Sequence, residues 1–289
     1  MSVDMHDVQP RQPIPPMNSQ ETVAALWSEC ARWNDLAANF QQLADTGFAD
    51  GSRAQLDTAA AAVIDPPPVV SHYLQERTWN TARMMRALHS QVFNTDPGRL
   101  HLDATTMYPL MRAALEDTAT IVWLQEPSSR SERLTRGLQA LHQDAEFFVK
   151  NHALLGTAAT DLGKEAAELG EKLSAHIQEE RDRFREHFAH LADRLGLERG
   201  AVTAHLTTRA PIVAVYGKDS VERVAWGMLS DLSHFSYMML RHLATSRVPG
   251  STTPLLHVTA LHFARTLNRV SGDAIEALQL AAGSPDEVE

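Results

Sequence analysis

The segment Leu110 to Arg136, LMRAALEDTATIVWLQEPSSRSERLTR, constrains this chain more than any other. Its apolar residues recur at helical spacing, yet Arg112 and Glu116 interrupt them one turn apart. Positions four apart lie on one face of a helix. A charge on or beside a buried face is costly unless it is paired, so the spacing predicts an ion pair tying this helix to a neighbour or flooring a polar pocket. On a buried-pair reading, Glu116→Ala strands Arg112 and costs about 3 kcal/mol. The pattern continues through Trp123 and Leu124, stops at Pro127 and restarts with Arg133 and Arg136.

The rest of the chain is also helical in period, and alternating strand patterns are nearly absent. A first helix is predicted over 19–44, with Leu26, Trp27, Cys30, Trp33 and Phe40 on one face. A short alanine-rich helix over 52–64 ends at Pro66–Pro67–Pro68, since proline cannot continue a helix. A third runs over 69–93 to the turn Asn94–Gly98. Asp103 is placed to cap the next, which reaches Gln125 with Pro109 near its first turns. Ser128 or Ser129 caps a helix to Leu155, and a charged helix follows from Asp161 to Leu195. The interleaved acids and bases at 179–186 read as a solvated face. Residues 197–218 form a mixed connector whose Ile212–Tyr216, IVAVY, is the single strand-like run. Asp219 or Ser220 caps a helix predicted to run unbroken to Ala244, and a last helix spans 255–282. The expectation is an all-α, multi-helix bundle of about seven or eight helices. Residues 1–18 read as a disordered arm, 19–65 as an N-terminal helical subdomain, 66–283 as the main bundle and 284–289 as an acidic tail.

Composition excludes several classes. A net charge of −10 argues against a general nucleic-acid binder, which carries a basic face. The single cysteine, Cys30, rules out an intramolecular disulfide and a cysteine zinc site, fits a reducing compartment and reads as a buried, inert thiol. No signal peptide and no uncharged run of membrane-spanning length is present, so the expectation is a cytoplasmic protein without a membrane partner. No Glu-x-x-His, His-Glu-x-x-His, phosphate-binding glycine loop or Gly-x-Ser-x-Gly elbow occurs. No metal or cofactor is therefore expected. The scattered methionines read as core filler or an adaptable surface.

Two patterns carry candidate chemistry. Ser230, Asp231, Ser233 and His234 form SDLSH in one predicted helix. At spacings of three and four, Asp231 or Ser230 reaches His234 and can fix its tautomer for acid–base work, or simply satisfy a buried histidine. The second is arginine, four to six intervening residues, then histidine, as in Arg83/His89, Arg136/His142, Arg181/His187, Arg185/His190 and Arg199/His205. In a chain this rich in both types, several such pairs arise by chance.

Arg112–Glu116 as R-A-A-L-E, Trp123–Pro127 as W-L-x-x-P, then Arg133 and Arg136, resemble a mainly actinobacterial group of helical proteins of unknown function. In that group a later helix carries aromatic, serine and histidine residues as S-x-x-x-H, which Trp226, Ser230 and His234 resemble. The resemblance covers about 103–243. The group is similar to HEPN-like bundles, which implies dimers, a link to defence or toxin systems and a bacterial source. Members end the helix after the histidine with glycine or proline, whereas FSYMMLRHL here reads as its continuation.

The functional expectation is a helical interaction or small-ligand-binding protein, forming a homodimer or meeting a protein partner, with Arg112, Glu116, Arg136 and Trp226 as ligand-binding residues. The first alternative is a metal-independent HEPN-type ribonuclease, the one reading that takes RNA as partner. The second is a small-molecule enzyme with His234 as general base supported by Asp231 and Ser230.

Overall fold

The computed structural model describes residues 18–61, 70–93, 100–159 and 164–283, the side chains of 61 and 152–159 aside. The predicted arm (but for Asn18), the proline triplet, the Asn94–Gly98 turn, the Asp161 helix start and the acidic tail lie outside them. The described residues form eleven helices and no strand: α1 Ser19–Thr46, α2 Arg53–Ala61, α3 Val70–Phe93, α4 Ala104–Gln125, α5 Arg130–Ala159, α6 Lys164–Arg194, α7 Arg199–Val202, α8 Ala210–Tyr216, α9 Val221–Ser233, α10 Tyr237–Thr245 and α11 Leu255–Ala282. None of these is long and apolar enough to cross a membrane.

The fold is all-α, as expected, but the count of seven or eight is corrected upward. Two of the extra helices come from the connector 197–218, which holds α7 and α8. The strand-like IVAVY lies in α8. Pro211 presets helical φ in its first turn, Gly217 stops it at φ 92°, and Ile212 is buried in the core. β-branched propensity yields there to burial.

The third comes from a break after Ser233. The Phe235 N–H donates to Leu232 O and the Ser236 N–H to Asp231 O, the paired bonds of a Schellman stop. Phe235 occupies the left-handed position at φ 53°. Glycine normally fills that position, so the stop carried no sequence signal, and the predicted run to Ala244 is corrected to α9 and α10.

Helix α4 is buried almost all round from Met107 to Gln125, which makes it the central element. It packs against α3, α8, α9 and α11, and α1 packs on α3 and α11. The main core joins Leu26, Cys30 and Trp33 of α1 to Met111 and Leu115 of α4 and Phe263 and Leu267 of α11. Thr118 and Thr120 are buried on α4 because their hydroxyls donate to Ala114 O and Glu116 O one turn back. Asp103 caps the helix as expected, accepting from the Thr105 N–H, and Ser220 caps α9 by accepting from the Arg223 N–H.

The end of α4 is held by three arginines. Arg136 donates to Trp123 O, Arg53 to Gln125 O, and Arg133 to Pro127 O and Ser128 O. Cations there satisfy carbonyls that the helix leaves open and oppose its dipole. Arg133 is also locked to Asp57 of α2 by two bonds of 2.7 and 3.1 Å, and both side chains are buried. The entry of α5 is pinned further by Gly137, where a Cβ would lie 2.8 Å from Val70 Cγ1 of α3.

Helix α6 packs against α5 and α7, around a separate apolar cluster of Leu134, Leu138, Phe188, Leu191, Leu197 and Val202. Its 31 residues make it about 46 Å long.

Candidate functional site

The residues singled out on α4 and α9 meet. Glu116 Oε1 accepts from Arg112 Nε at 2.9 Å and from Trp226 Nε1 at 2.7 Å. Arg112 Nη1 lies 3.5 Å from His234 Nε2. The Arg112 and Arg223 guanidiniums sit 5.8 and 5.5 Å from the Trp226 ring, within cation–π range. This is a tie between two helices. Its central oxygen already holds two donors, and the Arg112 and Glu116 side chains keep about a fifth of their surface exposed.

The SDLSH arrangement is different from its helical expectation. His234 is the cap residue of α9, at φ −90° and ψ 19°. It has left the register in which Ser230 and Asp231 would face it, and its ring turns to Arg112 instead. No hydrogen bond joins either side chain to that ring among the described residues, and Asp231 is exposed.

Arg136 is fully engaged. Beyond Trp123 O it donates to Glu126 Oε2 at 3.2 Å and Glu132 Oε1 at 2.6 Å, and its guanidinium lies 5.4 Å from the Trp123 ring. It does not meet His142. None of the arginine–histidine sequence pairs forms a unit, yet members of four of them come close in the α5–α6–α7 region, where a large cleft opens.

That cleft has a volume of about 630 Å³. Helical spacing builds it. His142, Glu146 and Lys150 recur every four residues along α5, while Gln178, Arg181 and Arg185 recur at three and four along α6. Thr203 and His205, just after α7, complete the wall. Glu146 sits at the centre: Oε1 accepts from Arg185 Nε at 2.9 Å and lies 3.9 Å from His142 Nε2, and Oε2 is 3.7 Å from Arg181 Nε. Two arginines and a histidine therefore surround one carboxylate, in a chain of net charge −10.

Two nitrogens of the lining residues are buried and have no hydrogen-bond partner, His142 Nδ1 and Arg181 Nε. His142 is 7% exposed, with its ring edge-on to Phe188 at 5.5 Å. Burial pulls its pKa below the ordinary histidine value; Glu146 opposes that shift and Arg185 adds to it. The ring is therefore neutral at pH 7.

A smaller hollow of about 160 Å³ adjoins the cleft, and Gln143 and Phe147 line both. Its walls carry Glu116, Asp117, Asp144, Thr207 and Thr208. Arg77 is ion-paired with Asp117 there and donates to Tyr73 Oη at 2.5 Å. Burial raises the Asp117 pKa, with Arg77 pulling the other way. Glu116 thus belongs both to the helix tie and to this hollow. Among the described residues no group of three or more metal-ligating side chains converges.

Sequence reading missed the cleft because its charged stretches look like ordinary solvated faces; their i, i+4 stripes were the available signal. No family model, no curated protein and no solved structure matches the chain.

Proposed function

We propose that the protein binds a small ligand, and that its site is the α5–α6 cleft rather than the α4–α9 tie. The observation that carries this is a cavity of ligand size whose lining residues His142 and Arg181 each keep a buried nitrogen, Nδ1 and Nε, without a hydrogen bond. Buried polar groups in native proteins are nearly always satisfied, so two beside one cleft of ligand size support a partner there. The tie has no comparable vacancy, since Glu116 already accepts from Arg112 and Trp226.

The test is a thermal-shift screen of small phosphates, carboxylates, amines and neutral polar compounds. The variant Gln178→Trp, which puts a bulky group at the cleft from an exposed helix position, serves as the comparison. At least one compound should raise the wild-type Tm by several degrees and leave the variant unmoved. Hits that shift both proteins alike would sink the assignment.

A metal-independent ribonuclease is the second reading. It is favoured by one observation: His142 and His205 share the cleft with Arg181 and Arg185, the residue types that move protons and stabilise phosphorane charge without a metal. RNA cleavage in EDTA, lost in His142→Ala, is its test; no cleavage by the wild-type protein on several RNAs removes it.

A further inference from the structure

We infer that the ligand of the α5–α6 cleft presents a dianionic oxyanion of the phosphate-monoester type, held by Lys150, Arg181, Arg185 and His142, with Glu146 as a built-in competitor for the same groups. The inference rests on the cleft being the binding site and adds the chemical class of what enters it.

The charge balance is the first argument. Lys150, Arg181 and Arg185 carry three positive charges and Glu146 one negative, so the free cleft holds an excess of two. A phosphate monoester near neutral pH carries close to two negative charges. The excess is local, because the chain as a whole is at −10. It is also unusual in composition, since Lys150 is one of four lysines in the sequence.

Donor geometry is the second. Arg181 and Arg185 stand one turn apart on α6, so their planar guanidiniums face the same space, and a guanidinium fork suits two oxygens of one oxyanion. Arg181 keeps a buried Nε without a hydrogen bond, and His142 on the opposite helix holds Nε2 3.9 Å from Glu146 Oε1. An oxyanion with three or four acceptor oxygens can meet donors from both walls at once. A neutral polar compound would leave the cations uncompensated, and a cationic one would be repelled.

Glu146 is the third. A carboxylate already sits among these donors, 2.9 Å from Arg185 Nε, 3.7 Å from Arg181 Nε and 3.9 Å from His142 Nε2. Of these contacts only the one to Arg185 is a hydrogen bond. Arg181 and Arg185 converge on a point where an oxyanion fits, and a single carboxylate satisfies them incompletely. An incoming dianion takes over Arg181 and Arg185, and Glu146 must release them. The cleft volume of about 630 Å³ is that of a small-molecule site, which favours a small monoester over a nucleic-acid strand.

Isothermal titration calorimetry on the full chain at low salt, with phenyl phosphate, sulfate, phenol and a short single-stranded RNA as probes, tests this. Phenyl phosphate and sulfate should bind and phenol should not. Arg181→Gln and Arg185→Gln should each weaken phenyl phosphate by about tenfold or more. Glu146→Gln should tighten it by a similar factor, because a competing charge is removed while the shape stays. These opposite signs separate a binding role from a structural one, and circular dichroism confirms that each variant is folded. If phenol binds as well as phenyl phosphate and Gln178→Trp abolishes both, the cleft is the site but the oxyanion class is wrong. If phenyl phosphate binds equally to the wild type and all the cleft variants, the cleft itself is wrong. RNA that binds more tightly than phenyl phosphate and is not displaced by it overturns the small-monoester assignment in favour of a polymer.

Discussion

Asp57→Ala and Glu116→Ala each remove the carboxylate from an arginine pair, but their costs should differ by about twofold. The side chains of Asp57 and Arg133 are 4% and 6% exposed. Breaking a buried pair costs about 3–5 kcal/mol. Arg133 keeps its two bonds to Pro127 O and Ser128 O, which places the loss at the lower end, about 3 kcal/mol. Arg112 is different: its side chain is 23% exposed and still faces Trp226 and His234. Water can solvate the stranded guanidinium, as it does for surface pairs worth about 0.2–1 kcal/mol. Loss of the acceptor for Trp226 Nε1 adds about 1 kcal/mol, for a total of about 1–2. The 3 kcal/mol expected from sequence therefore belongs to Asp57, not Glu116. Unfolding entropy of about 2.1 cal/mol/K per residue gives this chain about 0.6 kcal/mol/K. The Tm should then fall by about 5 °C for Asp57→Ala and about 2–3 °C for Glu116→Ala, read by differential scanning calorimetry. Asp57→Leu with Arg133→Met should recover part of the first loss. A Glu116→Ala cost equal to or above that of Asp57→Ala would refute the burial argument.

Other outcomes follow from single positions. Phe235→Gly should stabilise the protein by about 0.5–1 kcal/mol in urea melts, because the left-handed C′ position strains a side chain that is 64% exposed and gains little from packing; unchanged stability would mean the strain is absent. Gly137→Ala should destabilise by about 1–3 kcal/mol through collision with Val70, and Val70→Ala should relieve it in the double variant; an additive double variant would place the clash elsewhere. Burial raises the Cys30 thiol pKa to about 12, so it should react with a thiol reagent only after denaturant is added, and fast labelling of the native protein would contradict its position in the core. Burial lowers the pKa of His142, which Glu146, Arg181, Arg185 and His205 surround, so the unfolded chain takes up that proton first as pH falls. Its contribution to stability is complete above about pH 6.5 and is lost as pH drops through the lowered folded value. Burial lowers the pKa of His187, His257 and His262 too, so His142→Gln should flatten part of the Tm decline between pH 7 and 5, and an unchanged profile would exclude His142 as a contributor.

What could be read from sequence was whatever depends on neighbours along the chain. The caps at Asp103 and Ser220, the apolar α4 and the one-turn pairing of Arg112 with Glu116 are local, and all are present. What could not be read depends on contacts distant in sequence. Asp57 and Arg133 stand 76 positions apart, and nothing local marks Asp57 as a buried partner. The cleft draws on three separate stretches, each of which resembles a hydrated face alone. The stop at His234 depends on a phenylalanine in a conformation that its residue type disfavours.

The position of α6 bears on how a bound molecule would be felt. Because this helix packs against α5 and α7, around an apolar cluster of its own, it is expected to open separately from the core around α4. Its amides should then exchange with solvent through a sub-global opening, well ahead of those in α4. A compound lodged between α5 and α6 binds only the form in which α6 is packed on α5, and so slows that opening by mass action. Occupancy would register as slowed deuterium uptake along α6, with the interior of the bundle unaffected. That would make α6 the part of the molecule whose motion reports on its surroundings.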